Sequence, residues 1–352
     1  MIQSFTFDQF SSRVLDVYNK DKDSFWSAMM APFLKGSIIK KFFRHKDIGL
    51  HFYTLFKDTD QNRKSYLKDK TAEFGFDINQ WKSLKLKDEY FTDAYPVYAF
   101  LVIWMHENEV RVPLLRYGDM LRAIMCGIAG YGLLDVIVDK DLDFSAVELL
   151  TAQYLISEYE DKLLDVFGVS SAHLSILHRI RLKYLQAEIK EKSLRFKASP
   201  YQWNDPIECG YKAAHLLTPF MCSLSLIGKE SSIQDYFDIF FMFGAVIQII
   251  DDLNDIEDDL RIGHYSFPTL NTTVIDQLKH HNDFNSAAES IRRNIPHMKS
   301  LYNICEQLMN ESKVKLAALE DPFLEKIVDI THLRMKSAFH DKWKIVTDEK
   351  KE

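Results

Sequence analysis

The sequence predicts an all-α protein, and three observations carry that expectation. Apolar residues recur at spacings of three and four over most of the chain, the period of a helix with one buried face. Turn residues are scarce: 12 Gly and 9 Pro stand among 352 residues, fewer than a many-stranded fold requires. Hydrophobic residues make up 47% of the chain, enough to bury a substantial core and too many for a disordered chain.

Residues 1–94 are more polar and more basic than the rest, and read as N-terminal helices packed on the flank of a core spanning 95–352. Pro96 and Pro113 open two segments, since proline at a helix start gives up only an N–H that lacks a partner there. Leu114, Tyr117, Met120 and Leu121 mark one apolar helix face. Leu149, Tyr154, Leu155 and Tyr159 mark the next, and Ile176, Ile180, Leu182 and Leu185 a third. Gly168, with Ser170 and Ser171, closes one helix and starts another. Lys197–Pro206 reads as a loop in which Asn204 or Asp205 caps the following helix, and Gly263–Pro268 as a second loop.

Charge and cysteine usage narrow the function classes. Lys plus Arg is 44 and Asp plus Glu is 51, a net charge of −7, which argues against a nucleic-acid partner because phosphate backbones need a dense basic face. Cys126, Cys209, Cys222 and Cys305 show no CxxC spacing, so a zinc ribbon or disulfide framework is excluded and a reducing compartment is expected. The first residues lack a basic segment followed by an apolar one. The longest uncharged runs, Ala213–Gly228 and Ile239–Ile250, are shorter than the ~20 residues that cross a bilayer. The expectation is a cytoplasmic protein without stable membrane insertion.

One pattern points to chemistry. Ala123–Leu134 is a twelve-residue uncharged run that leads into Asp135, and Ile239–Ile250 is another that leads into Asp251. The second is followed by Asp252, Asp255, Glu257, Asp258 and Asp259. On a helix Asp251, Asp255 and Asp259 share one face over ~12 Å, with Asp252 beside them. Like charges four apart destabilise a helix by a few tenths of a kcal/mol per pair, so such a row calls for a counter-charge. Magnesium is the natural one: it takes hard oxygen ligands and is usually held by one or two carboxylates plus substrate phosphates. Asp135 and Asp139 repeat the spacing on a smaller scale. Gly127, Gly130 and Gly132, on the turns before Asp135, are read as close helix packing, because glycine inside a helix costs up to ~1 kcal/mol and needs a reason.

The stretch Gly244–Leu270, GAVIQIIDDLNDIEDDLRIGHYSFPTL, resembles the second aspartate-rich region of trans-isoprenyl diphosphate synthases and their class I terpene synthase relatives. Gln248, Asp251, Asp252, Asp255 and Asp259 match its pattern. Glu208–Ala214 is similar to the family helix whose lysine contacts the diphosphate, which points to Lys212, and Asp135 and Asp139 fall where the first aspartate motif belongs. The similarity covers roughly residues 95–345 and is strong around 244–270. It implies the isoprenoid synthase fold, a bundle of long helices around a central apolar pocket, and a homodimer. It further implies an isoprenyl diphosphate substrate and magnesium, three ions in all, with manganese as a substitute. Metal ligands would be Asp135, Asp139, Asp251, Asp252, Asp255 and Asp259, with Asp135, Asp251 and Asp255 catalytic. Substrate would be bound by Lys212 and Gln248, with Arg181, Arg334 and His264 as helpers, although a loop histidine ordinarily lies in solvent.

Departures from the family pattern decide the finer expectation. The first motif is DVIVD, with one leading acid instead of two, and no arginine pair follows it. Gly263-His264 stands in place of the basic Gly-Lys, and Lys40, Lys41, Arg44 and Lys46 do not match the N-terminal basic pattern. These elements hold the second diphosphate of a chain-elongating enzyme. The expectation is therefore a class I terpene synthase that ionises one allylic diphosphate, with a prenyl elongase as the alternative and a non-catalytic subunit as the second. Aromatic residues are abundant (5 Trp, 16 Tyr and 25 Phe), but Tyr98, Phe100, Trp104, Tyr131, Phe220, Phe240, Phe241 and Phe243 are each read first as core packing.

Overall fold

The computed structural model describes residues 101–102, 104–105, 108, 114–139, 146–193, 201–270 and 283–345. The regular elements among them are all helical, so the described part of the chain is all-α as the sequence predicts. The expected N-terminal helices and their boundary at residue 94 lie outside the described residues, as do Tyr98 and Phe100. The chain divides into two compact units, Met1–Val169 and Ser170–Glu352.

In the first unit α1 (Leu114–Asp139) packs along α2 (Ala146–Phe167). Glycines make that contact close. A methyl on Gly127 would meet the Tyr159 ring at 2.9 Å, and one on Gly130 would meet the Ile156 side chain at 2.9 Å and its backbone nitrogen at 3.0 Å. Close packing is thus what these two glycines serve. Gly130→Ala is expected to cost about 1–2 kcal/mol, overpacking outweighing the helix-propensity gain. Gly118→Ala, with nothing within 4 Å, should instead gain up to ~1 kcal/mol. Urea unfolding of the pair checks both signs.

Gly168 leaves α2 with φ +91, a left-handed conformation that favours glycine. Ser170 Oγ then accepts from the His173 N–H at 3.1 Å and opens α3 (Ser171–Ser193), as the sequence suggests. The rest of the second unit follows in order: α4 (Pro206–Cys209), a 3₁₀ turn (Gly210–Ala213), α5 (Ala214–Leu226), α6 (Ile233–Arg261), α7 (Phe284–Arg293), α8 (Ile295–Leu319) and α9 (Pro322–Ser337). Helix α6 is central: α4, the 3₁₀ turn, α5, α7, α8 and α9 all pack on it. Phe237, Phe240, Phe241 and Phe243 are buried in it; Phe237 stacks on Phe241, and Phe240 meets both Phe243 and Phe220. Trp104 and Tyr131 are buried as well, Tyr131 edge-on to Tyr159. These aromatics are core, as first read.

Two segments, Arg116–Val138 and Glu230–Arg261, are long and apolar enough to cross a membrane, and 61% of each apolar window is buried inside the protein. An open groove of about 800 Å³ on α7 is lined by Asn285, Ser286, Glu289, Arg293 and Asn294. It is too polar to answer to the expected apolar pocket.

Candidate active site

The candidate site gathers in the second unit, where the 3₁₀ turn crosses α6. Gly210 has φ −69, an ordinary helical value, so space and not torsion demands glycine there. A methyl at this position would lie 2.7 Å from the Ala245 nitrogen and closer still to the Phe241 carbonyl. Gly244 faces it, so that backbone meets backbone. The crossing fixes Lys212, two residues on, beside the polar end of α6.

Helix register sorts the acids of α6. Asp252 falls in line with Ile249 and Ile256 on the buried face and is 7% exposed. The Gln248 side-chain amide donates to it at 2.7 Å. Burial pushes the Asp252 carboxyl well up; Lys212 pulls it back, and Asp259 and Glu191 push it further. Asp251 and Asp255 are exposed, and Asp259 is half-buried. Asp251 is crowded by protein although it reaches solvent, and that crowding first, then Asp255, raises it to about 6 against the pull of Lys212. Asp255 is raised by the same partial burial and by Asp259 and Asp258, while Lys342 and Arg292 lower it. The mutual repulsion expected along Asp251, Asp255 and Asp259 is therefore present. Glu257 and Asp258 serve otherwise, both paired with Arg261.

A residue that sequence reasoning missed lies beneath this face. Glu191, in the last turn of α3, is 3% exposed. It accepts from Lys212 Nζ at 3.1 Å and from the Tyr201 hydroxyl at 3.3 Å, and it contacts His264 Nε2. Burial would raise its carboxyl, but Lys212 and His264 bring it below the usual range. The signal for it was register: Ile176, Ile180, Tyr184, Ala187 and Glu191 continue one buried stripe.

The solvent position expected of the loop residue His264 is corrected: it is 6% exposed, because the segment 263–270 folds inward after Gly263. Its Nδ1 lies 3.5 Å from Asp259 Oδ1. Asp205 occupies the cap position of α4 without a side-chain cap bond. Its carboxylate lies 3.5 Å from Lys190 instead. Arg181 is exposed on α3 and Arg334 half-buried on α9; the cluster described above contains neither. Asp135, half-buried, and Asp139 stand at the end of α1 in the first unit. Cys126, Cys209, Cys222 and Cys305 are all buried.

Among the described residues, no three His, Cys, Asp or Glu side chains form a ready metal cage. Magnesium asks for less: one or two carboxylates, with waters and phosphate oxygens completing its octahedron. Hard oxygen donors that raise one another's proton affinity fit that ion, and Asp251 and Asp255 are the best placed.

No family model matches the chain, and no curated protein matches it. Among solved structures it is similar to a geranylgeranyl pyrophosphate synthase from Lactobacillus brevis ATCC 367. Identity is 14%, the match covers 74% of this chain and 100% of that one, and the TM-score is 0.46. A likeness at this level says nothing about activity.

Proposed function

We propose that this chain has the isoprenoid synthase fold and is a magnesium-dependent class I terpene synthase. It would ionise an allylic isoprenyl diphosphate and cyclise or quench the cation. What carries this reading is Lys212 at the start of the acidic end of α6, close enough to act on the carboxyls of Asp251 and Asp252. A cation next to a row of mutually repelling carboxylates suits a ligand that is anionic and carries divalent metal.

Asp251 and Asp255 would hold magnesium, with Asp259 alongside; bound there, the ion supplies Lewis acidity to the departing diphosphate. Lys212 adds a fixed positive charge to the same oxygens. Gln248 restrains Asp252 by the hydrogen bond that its side-chain amide donates, keeping the buried carboxyl in one orientation. The resemblance gives Asp135 and Asp139 a metal role too. Asp135→Asn should then weaken binding of inorganic pyrophosphate in the presence of magnesium by about tenfold, as calorimetry would measure.

The missing arginine pair after Asp139 and the Gly263-His264 substitution favour one diphosphate over two. Incubation with ten-, fifteen-, twenty- and twenty-five-carbon allylic diphosphates, with and without isopentenyl diphosphate, tests this. A hydrocarbon or alcohol formed without the second substrate is the expected product. A longer diphosphate formed only with it would make the chain an elongase. Metal-dependent pyrophosphate binding without any product would make it a non-catalytic subunit.

A further inference from the structure

We propose that Glu191 is a positioning residue that holds Lys212 and His264 as a pair, keeping Lys212 from collapsing onto the aspartates of α6 before substrate arrives. The proposal rests on the diphosphate reading above and adds two residues to it.

Glu191 is an anion in a place that disfavours anions. A buried carboxylate is tolerated only when donors and positive charge surround it. Its neighbours in sequence, Lys190 and Lys192, are half-buried, so register has turned Glu191 inward, as it has Glu188 one turn earlier. There it meets polar groups from three separate segments: Tyr201 before α4 and Lys212 in the 3₁₀ turn, which donate to it, and the His264 ring after α6. Packing alone would be served by an apolar residue at this position. A carboxylate instead answers the Lys212 ammonium and the polar groups of Tyr201 and His264.

The contacts form a continuous chain. Asp259 on the acidic face reaches His264 Nδ1 at 3.5 Å, His264 Nε2 reaches Glu191, and Glu191 holds Lys212 at 3.1 Å. Lys212 therefore has two sets of acids within its influence: Glu191, which it contacts, and Asp251 and Asp252, whose carboxyls it acts on. Held by Glu191, it leaves the α6 carboxylates available to metal. Released, it would pair with them, cancelling charge that a divalent ion needs and withdrawing its own from the diphosphate. Loss of Glu191 should thus weaken anion and metal binding together, although it removes a negative charge from the neighbourhood.

Calorimetric titration of inorganic pyrophosphate with magnesium into wild type, Glu191→Gln, Glu191→Asp, His264→Gln and the Glu191→Gln/His264→Gln double variant tests this. Glu191→Gln should bind about tenfold more weakly, the scale of one hydrogen bond to a charged group, and Glu191→Asp should recover most of that. His264→Gln should lose a similar factor, and the double variant no more than Glu191→Gln alone, because residues acting as one unit are not additive. Wild-type affinity in a Glu191→Gln protein whose unfolding midpoint has dropped would show a purely structural role and overturn the proposal. Additive losses in the double variant would overturn it as well. If Glu191→Gln does not fold, His264→Gln decides, since unchanged pyrophosphate affinity there breaks the chain at its middle link. Wild type that binds no pyrophosphate at all removes the diphosphate reading and this proposal with it, a result distinct from a loss confined to the variants.

Discussion

Asp251→Asn should lose at least about a hundredfold in diphosphate release and yet fold more stably than wild type at pH 7. Both effects come from one carboxyl. Asp251 is raised from 3.8 to about 6, by partial burial first and by Asp255 second. Its folded-state proton affinity exceeds that of the unfolded chain, so its protonation favours the fold. That contribution is complete below about pH 4 and is lost as pH rises through about 6. Asparagine does not titrate. The variant should therefore match wild type near pH 4 and exceed it above pH 6, by a margin that solvent screening at an exposed carboxyl keeps modest. On the proposed reading magnesium would compete with the same proton, so wild-type magnesium affinity should fall as pH drops through about 6. Product assays measure the first effect; urea unfolding at pH 4 and pH 7 measures the second. Unchanged turnover would remove Asp251 from the chemistry, and equal midpoints at pH 7 would remove the repulsion.

Gly210→Ala should cost about 3 kcal/mol or more, a large share of the stability of a typical domain. The added methyl would press on the Phe241 carbonyl and the Ala245 nitrogen. Both belong to the buried backbone of α6, which cannot swing aside as a side-chain tip does. Gly244→Ala at the same crossing is expected to behave oppositely. Its methyl would meet Gly210 oxygen at 3.5 Å and Cα at 3.6 Å, ordinary contact, and it should gain up to ~1 kcal/mol from helix propensity. At a temperature where Gly210→Ala remains folded, it should also bind pyrophosphate more weakly, because the crossing sets the position of Lys212. Equal urea midpoints for the two variants would show that the backbone contact is looser than described.

The acidic end of α6 was legible because its chemistry is local. Four residues apart on a helix means one face, whatever the helix packs against, so the row Asp251, Asp255 and Asp259 could be read before any fold was known. The inward turn of Asp252, in register with Ile249 and Ile256, obeys the same rule, although sequence alone sets it beside the row as a metal ligand. Close packing at Gly127 and Gly130 followed from the energetic oddity of glycine in an apolar helix.

Other features depended on the partner surface. Helix α3 carries two apolar stripes, and the sequence reading mixed them: Ile176 and Ile180 are buried, whereas Leu182 and Leu185 are 45% and 40% exposed. Periodicity marks a candidate face but cannot choose between two, because burial is set by what packs on it. That choice carried Glu191 inward and exposed Arg181. The inward fold of His264 was hidden for a related reason, as a loop has no period to read. The sequence by itself determined an all-α chain with an acidic face on one helix, since these are properties of residues a few positions apart. Only tertiary structure joined Glu191, Lys212 and His264, since the contacts among them close over separations that no local pattern encodes.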